Sequence, residues 1–339
     1  MKSSLIASDA ALPANPHFAP HADLPEPVPQ LIAATAEGLP HVAGALARAR
    51  AFAEPLIGDE TLDTGENKMA HADAMASILR TIGGSEAMQA AGYLVYAGEH
   101  LTDPQEVITK AFGESFATLA VETTKLVRVQ RLSRDARSDA QLVDDPKLHT
   151  ENIRKMLLAF SRDLRVVMLR LASRLQTLRY YAASRRPVSP SLARESLQVF
   201  APLANRLGIW QIKWEMEDLS FRFLEPETYK QVAKLLDEKR TQREIDMERV
   251  RTELAAQLQA QGVHATVQGR PKHIYSIVRK MRGKSLDFDR VFDIRALRVV
   301  VPTVADCYAT LSWVRVFDIR ALRVVAPTVA DCYATLSWV

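Results

Sequence analysis

The sequence predicts an α+β protein, a long and mostly helical N-terminal part followed by the start of an α/β domain. Three observations carry this prediction. Apolar residues recur at three- and four-residue spacing from about Gly44 to residue 261. The period then shortens to about two in VHATVQG (263–269) and again in VFDIRALRVVV (291–301). Each of these strand-like runs is followed by a stretch that reads as a short helix, so many helices are succeeded by strand–helix–strand–helix.

Taken in order, residues 1–43 read as a flexible leader. They hold seven of the 17 prolines and show little periodicity. Residues 44–190 form a first helical domain, and 191–261 a helical connector. In the first, Ile153, Met156, Leu157, Phe160, Leu164, Val167, Met168, Leu171, Leu175 and Leu178 make one apolar stripe on a long helix. Ser189 followed by Pro190 is a helix start. The next helical run carries Leu197, Phe200, Leu203 and Leu207, and Gly208 can end it. Residues 227–261 read as another long helix closed by Gly262. Residues 262–314 then carry a strand, a short basic helix in HIYSIVRKMRGK, a second strand ended by Pro302, and a helix over 303–314.

The chain has 339 residues, 47% of them hydrophobic and 25% charged, ordinary values for a soluble globular protein with a real core. It contains no run of about 18 apolar residues, so no transmembrane helix is expected. It shows no apolar signal segment either, and a cytoplasmic location is the default. The two cysteines, Cys307 and Cys332, occupy equivalent places in a repeat, which argues against a disulfide framework or a cysteine metal site. The net charge of +4 hides an asymmetry. Residues 151–300 carry 29 Lys and Arg against 17 Asp and Glu, and no acid occurs between Glu253 and Asp287. A basic block of this kind suits an anionic partner, either nucleotide phosphates or nucleic acid; a solvated face is the plainer reading.

The segment richest in possible chemistry is GRPKHIYSIVRKM (269–281). On a helix, Lys272, Ser276 and Lys280 fall at i, i+4 and i+8 and share a face, with Arg270 at the strand–helix junction. Two lysines, a hydroxyl and an arginine near a helix N-terminus make a phosphate cradle. The alternative is an exposed basic helix. In the next strand Asp293 and Arg295 share a face. Asp293 could ligate Mg²⁺ and Arg295 could neutralise phosphate charge, or the two could be a plain surface ion pair. His71 lacks a recognisable ligand pair with His100 or His149, so on spacing alone its role reads as structural.

These segments resemble a known family. From about residue 66 to 314 the chain is similar to the long RelA/SpoT-type enzymes, which make and degrade the alarmone (p)ppGpp. The carrying segments are ENIRKMLLAFSRDLRVVMLRLASR, VFAPLANRLGIWQIKWEMEDLSFRFLEPETY, VQGRPKHIYSIVRKM, and FDIRALRVVV followed by DCYATL. GRPKHIYSI and APLANRLGIWQIKWE read most like the synthetase-dominant, RelA-like branch. The resemblance implies that 44–190 is an HD-type hydrolase fold, whose pattern is a His, a later His-Asp pair and an Asp within LADR, together holding Mn²⁺. Here His71 matches the first His, but the His-Asp positions are Val95 and Tyr96 and the LADR aspartate is Ser173. A lone imidazole cannot hold the ion, so neither Mn²⁺ nor hydrolase activity is expected.

The resemblance further implies that residues 262–314 begin a nucleotidyltransferase-like synthetase. Such a domain transfers pyrophosphate from ATP to the 3′-hydroxyl of GTP or GDP. Arg270, Lys272, Ser276 and Lys280 would sit in the nucleotide-phosphate motif, and Asp293 would be the Mg²⁺-binding acid. The family also uses a Tyr in an NGYQSLH-like loop and a Glu in an EVQIRT-like strand; neither motif occurs in these 339 residues. The C-terminal half through which long members contact the ribosome is not represented either. The expectation is therefore a truncated, catalytically incomplete synthetase. The alternatives are a non-enzymatic module that binds nucleotide or RNA, or a residual (p)ppGpp hydrolase.

Residues 315–339 repeat residues 290–314, with a single difference, Val301 against Ala326. A near-identical pair is no diverged solenoid repeat. It duplicates Asp293 as Asp318 and Arg295 as Arg320. Its strand, 316–325, is expected either to pair at the sheet edge or to compete with the first copy for one place.

Overall fold

A computed structural model describes residues 44–138, 163–238, 240–291, 295–314 and 322–325. The leader, His149, Asp293, Asp318 and Arg320 lie outside the described residues. The chain divides between Arg243 and Glu244 into two compact units.

The first unit is helical. Helix α1 (Ala45–Ile57) buries Ala45, Ala49, Ala53 and Ile57, a stripe at every fourth residue. Its small side chains let it pack closely on α3 (Glu86–Ala97), where every residue from Ala87 to Ala97 is buried. A helix apolar on all sides belongs at the centre, and the sequence AMQAAGYLVYA is of that kind. Helix α2 (Lys68–Thr81) packs on α3 from another side. Asn67 caps it by accepting from the Ala70 N–H at 2.9 Å. Helices α4 (Pro104–Phe112) and α5 (Glu114–Ser138) follow, α4 starting with Pro104 behind an Asp103 cap.

Helix α6 (Leu164–Ser184) is buried at every residue from Val166 to Leu175 and again at Leu178. It is the described part of the apolar stripe over 153–178. Ser189 and Pro190 start α7 (Pro190–Glu195), as the sequence predicts. One turn of π-helix, Ser196–Phe200, links it to α8 (Ala201–Arg206). The Ala201 N–H reaches back to the Ser196 carbonyl, and Pro202 has no N–H with which to continue a regular ladder. Gly208 then turns the chain at φ 73° into α9 (Trp210–Leu224). One core runs from Ala45 to Leu219, so the boundary expected at 190 does not interrupt it. The long helix expected over 227–261 is described as α10 (Pro226–Glu238) and α11 (Arg240–Ala260), with Lys239 between them outside the described residues.

In the second unit, Gly262 at φ 74° leads from α11 toward β1 (Thr266–Pro271). Then come α12 (Ile274–Lys284), β2 (Arg295–Val300), α13 (Val304–Val314) and β3 (Leu322–Val325). The sheet order is β1-β2-β3. Strands β1 and β2 are antiparallel, with Thr266 beside Val300 and Pro271 beside Arg295. Strand β3, from the second repeat copy, pairs parallel to β2. Leu254, Leu258, Val263, Val267, Val299, Val301 and Cys307 form this unit's core. The chain is thus α+β and predominantly helical, as its two periodicities predict.

Candidate functional site

In the helical unit, His71 on α2, Val95 and Tyr96 on α3, and Ser173 on α6 come together although up to 102 positions separate them. All four are buried, His71 at 1% exposure. The His71 Nδ1 lies 2.6 Å from Glu66 Oε2, and its Nε2 lies 3.2 Å from Ser173 Oγ. Tyr96 Oη is 3.0 Å from the same Ser173 Oγ. The Tyr96 ring meets the imidazole edge-on, with centroids 5.4 Å apart. Gln176, one helical turn past Ser173, donates to the other Glu66 oxygen at 2.6 Å.

The direction of every proton in this chain follows from the acceptors. A carboxylate accepts only, so Nδ1–H donates to Glu66, and in the neutral imidazole Nε2 is left as an acceptor. Ser173 therefore donates its O–H to Nε2, and Tyr96 donates to Ser173. Burial, the main cause, holds the Tyr96 phenol above its usual pKa and keeps it protonated as a donor, against the lowering effect of its Ser173 hydrogen bond. Val95 contributes an apolar side chain; its carbonyl accepts from Thr124 Oγ1 at 3.3 Å.

Among the described residues no three His, Cys, Asp or Glu side chains gather as a potential ion site. At this position Ser173 Oγ lies against His71 Nε2, and neither Val nor a protonated Tyr or Ser supplies an anionic ligand. Next to it, Lys68 Nζ donates to His100 Nε2 at 3.0 Å and lies 3.4 Å from Glu99. His100 is thus a partner of Lys68. Sequence reading missed Glu66 and Gln176. Glu66 stands five residues before His71, outside the helix, and Gln176 lies 110 positions from Glu66, so no periodic signal joins them.

In the second unit, β1 leads through Lys272 and the cap residue His273 into α12. Lys272 precedes the helix, so the shared helical face expected for three residues holds for Ser276 and Lys280 only. The reason is local: Pro271 still belongs to β1, and His273 at φ −67°, ψ 147° is extended, so helical dihedrals begin at Ile274. Arg270 and Arg295 are brought to the same end of the sheet, Arg270 beside Ala296 and Pro271 beside Arg295. That end is where α12 begins. Ile274, Ile277 and Val278 bury the opposite face of α12, leaving Ser276 and Lys280 partly exposed. Asp293, two residues before Arg295, lies outside the described residues.

Comparison with known proteins agrees with these two units. A family model described as an HD domain matches residues 49–210, and one described as a region found in RelA/SpoT proteins matches 269–317. A probable guanosine-3′,5′-bis(diphosphate) 3′-pyrophosphohydrolase of Synechocystis sp. is 40% identical over 270 residues, covering 79% of this chain and 34% of that protein. A GTP pyrophosphokinase of Escherichia coli is 42% identical over 213 residues, covering 62% and 28%. A guanosine-3′,5′-bis(diphosphate) 3′-pyrophosphohydrolase of Haemophilus influenzae is 37% identical over 249 residues, covering 74% and 35%. The chain therefore spans about a third of the length of the curated relatives it matches. An HD-type helical unit followed by the RelA/SpoT region, with the basic segment at the strand–helix junction, places this chain in the RelA/SpoT family.

Proposed function

We propose that this chain comes from the synthetase-dominant branch of (p)ppGpp metabolism. In this reading its second unit serves transfer of pyrophosphate from ATP to the 3′-hydroxyl of GTP or GDP, as in the stringent response, and its HD-type unit does not hydrolyse (p)ppGpp. The observation that carries the proposal is the meeting of His71 with Val95, Tyr96 and Ser173, where Ser173 Oγ lies 3.2 Å from His71 Nε2 and none of those three side chains offers an anionic ligand. With Val95 and Tyr96 beside it, the site can neither hold Mn²⁺ nor activate water.

Arg270, Lys272, Ser276, Lys280 and Arg295 bind the nucleotide phosphates, and Asp293 holds Mg²⁺, which supplies charge neutralisation. The path of the chain supports this assignment: β1 ends at Pro271 and α12 starts at Ile274, so Arg270, Lys272, Ser276 and Lys280 follow one another through one strand–helix junction. The guanine-stacking Tyr motif and the second carboxylate motif are not among the 339 residues, so nucleotide binding is the activity to measure in this chain.

Two assays test the reading. Titration with ATP and GTP in Mg²⁺ should show binding that Arg270→Ala weakens roughly ten- to a hundredfold, the range for one charge-assisted hydrogen-bonding group. Incubation of ppGpp with Mn²⁺ should release no pyrophosphate. Manganese-dependent release would overturn the silent-hydrolase assignment, and unchanged nucleotide affinity in the Arg270 variant would overturn the phosphate site.

A further inference from the structure

The hydrogen bonds around His71 have an order that a packed core does not require. Ser173 Oγ lies 3.2 Å from His71 Nε2, and His71 Nδ1 lies 2.6 Å from Glu66 Oε2. Gln176 holds the other Glu66 oxygen at 2.6 Å. A hydroxyl, an imidazole and a carboxylate, each within hydrogen-bond reach of the next, are the parts of an activated nucleophile, whatever the fold and the order in the chain. Burial also runs in the sense such a relay needs. Glu66 is 4% exposed and His71 1%, whereas Ser173 at 8% and Tyr96 at 7% form its outer end. Tyr96 Oη, 3.0 Å from Ser173 Oγ, places a donor next to the oxygen that would attack. Burial is the main influence on that phenol, and the Arg170 guanidinium, one turn before Ser173 on α6, acts on it electrostatically.

We propose that Ser173 is an acyl-acceptor site, at which His71 takes the serine proton as Oγ attacks the carbonyl carbon of a small ester or thioester. The bond from Oγ to that carbon forms, and the bond from the carbon to the leaving oxygen or sulfur breaks. The proton passes from Nε2 to the leaving group. Glu66 keeps the ring turned with Nε2 toward Ser173. Tyr96 donates to the carbonyl oxygen as it becomes negative. The slight exposure of Ser173 restricts the donor to a short, uncharged acyl group of acetyl size. This transfer uses the residues that stand where the hydrolase ligands would, and it is independent of nucleotide binding in the second unit.

The test uses the full chain and p-nitrophenyl acetate. Peptide mapping by mass spectrometry should place one acetyl group on Ser173, with release of one equivalent of p-nitrophenol. The same chain unfolded in urea should leave Ser173 unmodified over the same time. His71→Gln should slow acetylation of Ser173 by at least about a hundredfold, the range of general-base assistance. Tyr96→Phe, which keeps the ring and loses the donor, should slow it by about a hundredfold as well. Urea midpoints of both variants are measured alongside, because a purely structural hydrogen bond would shift the midpoint and leave Ser173 of the wild type unreactive. Acetyl groups on lysines with none on Ser173 would overturn the proposal, as would equal labelling of Ser173 in the folded and unfolded chains. Equal rates in the wild type and a folded His71→Gln chain would also overturn it. The mapping and the unfolded control need only the wild type, so they decide the matter even where a variant does not fold.

Discussion

Arg174 holds α7 and the π-turn against α6. Its guanidinium lies 2.8 Å from Glu195, 4.3 Å from the centre of the Phe200 ring and 3.4 Å from Ser196 Oγ, with its side chain only 4% exposed. Replacing it with Met removes a charge-assisted hydrogen bond to a Glu195 side chain only 10% exposed, so Arg174→Met should lose about 1.5–3 kcal/mol of stability by urea unfolding. Arg174→Lys should recover only part of this, because an ammonium neither stacks on Phe200 nor forks. A loss below about 1 kcal/mol for Met would show that the pair is not structural. Tyr93 supplies a pH test. Burial and its 2.7 Å hydrogen bond to Asp73 raise its pKa well above that of a free phenol. The folded state keeps this proton where the unfolded state loses it. The stabilisation is therefore full below pH about 10 and is lost as pH rises beyond it. Melting temperatures from pH 8 upward should fall in the wild type above about pH 10, and less steeply in Tyr93→Phe.

At the scale of elements, Gly208 ends α8 at φ 73°, and an added Cβ there would touch nothing. The cost of Gly208→Ala is then backbone strain alone, about 1–2 kcal/mol, measurable as a lower urea midpoint at unchanged slope. Gly92 has the opposite character. Its Cβ would meet Met75 Cε at 2.6 Å, so the cost there lies in packing between α2 and α3. Most elements were legible because local chemistry decides them: Ser189 with Pro190, Gly208, Gly262, and the change of period after residue 262. What stayed hidden depends on partners distant in sequence. The π-turn needs the missing N–H of Pro202 to be weighed against the packing of Phe200. The site was half legible for the same reason. His71, Val95, Tyr96 and Ser173 were named by resemblance, whereas Glu66 and Gln176, which complete the hydrogen bonding, appear only when α2 and α6 are in contact.

For the molecule as a whole, two separate cores underlie the two units, one around α3 and α6 and one around Leu254, Leu258 and Val299. Leu94 is fully buried in the first and Leu258 nearly so in the second. Each truncated to Ala should cost about 2–5 kcal/mol in its own unit. Calorimetry should show Leu94→Ala and Leu258→Ala lowering different transitions; an identical shift of one shared transition would mean that the units unfold together. Among the described residues no helix is long and apolar enough to cross a membrane. The basic block of the sequence falls largely in the second unit, where Lys272 precedes α12 and Arg279, Lys280 and Lys284 lie along it.

The hydrogen-bond chain from Tyr96 through Ser173 and His71 to Glu66 also constrains how the lineage can change. Ser173→Asp alone would set a second buried carboxylate near Glu66 with no ion between them. Tyr96→Asp alone would bury a charge and remove a donor, and Val95→His alone would put a polar ring in an apolar place. Each single substitution toward a ligand costs stability before any metal affinity is gained, because only all three together would supply a ligand set. In the silent-hydrolase reading proposed above this works as a ratchet: neutral side chains that satisfy one another leave no favourable single substitution on the way to a metal site.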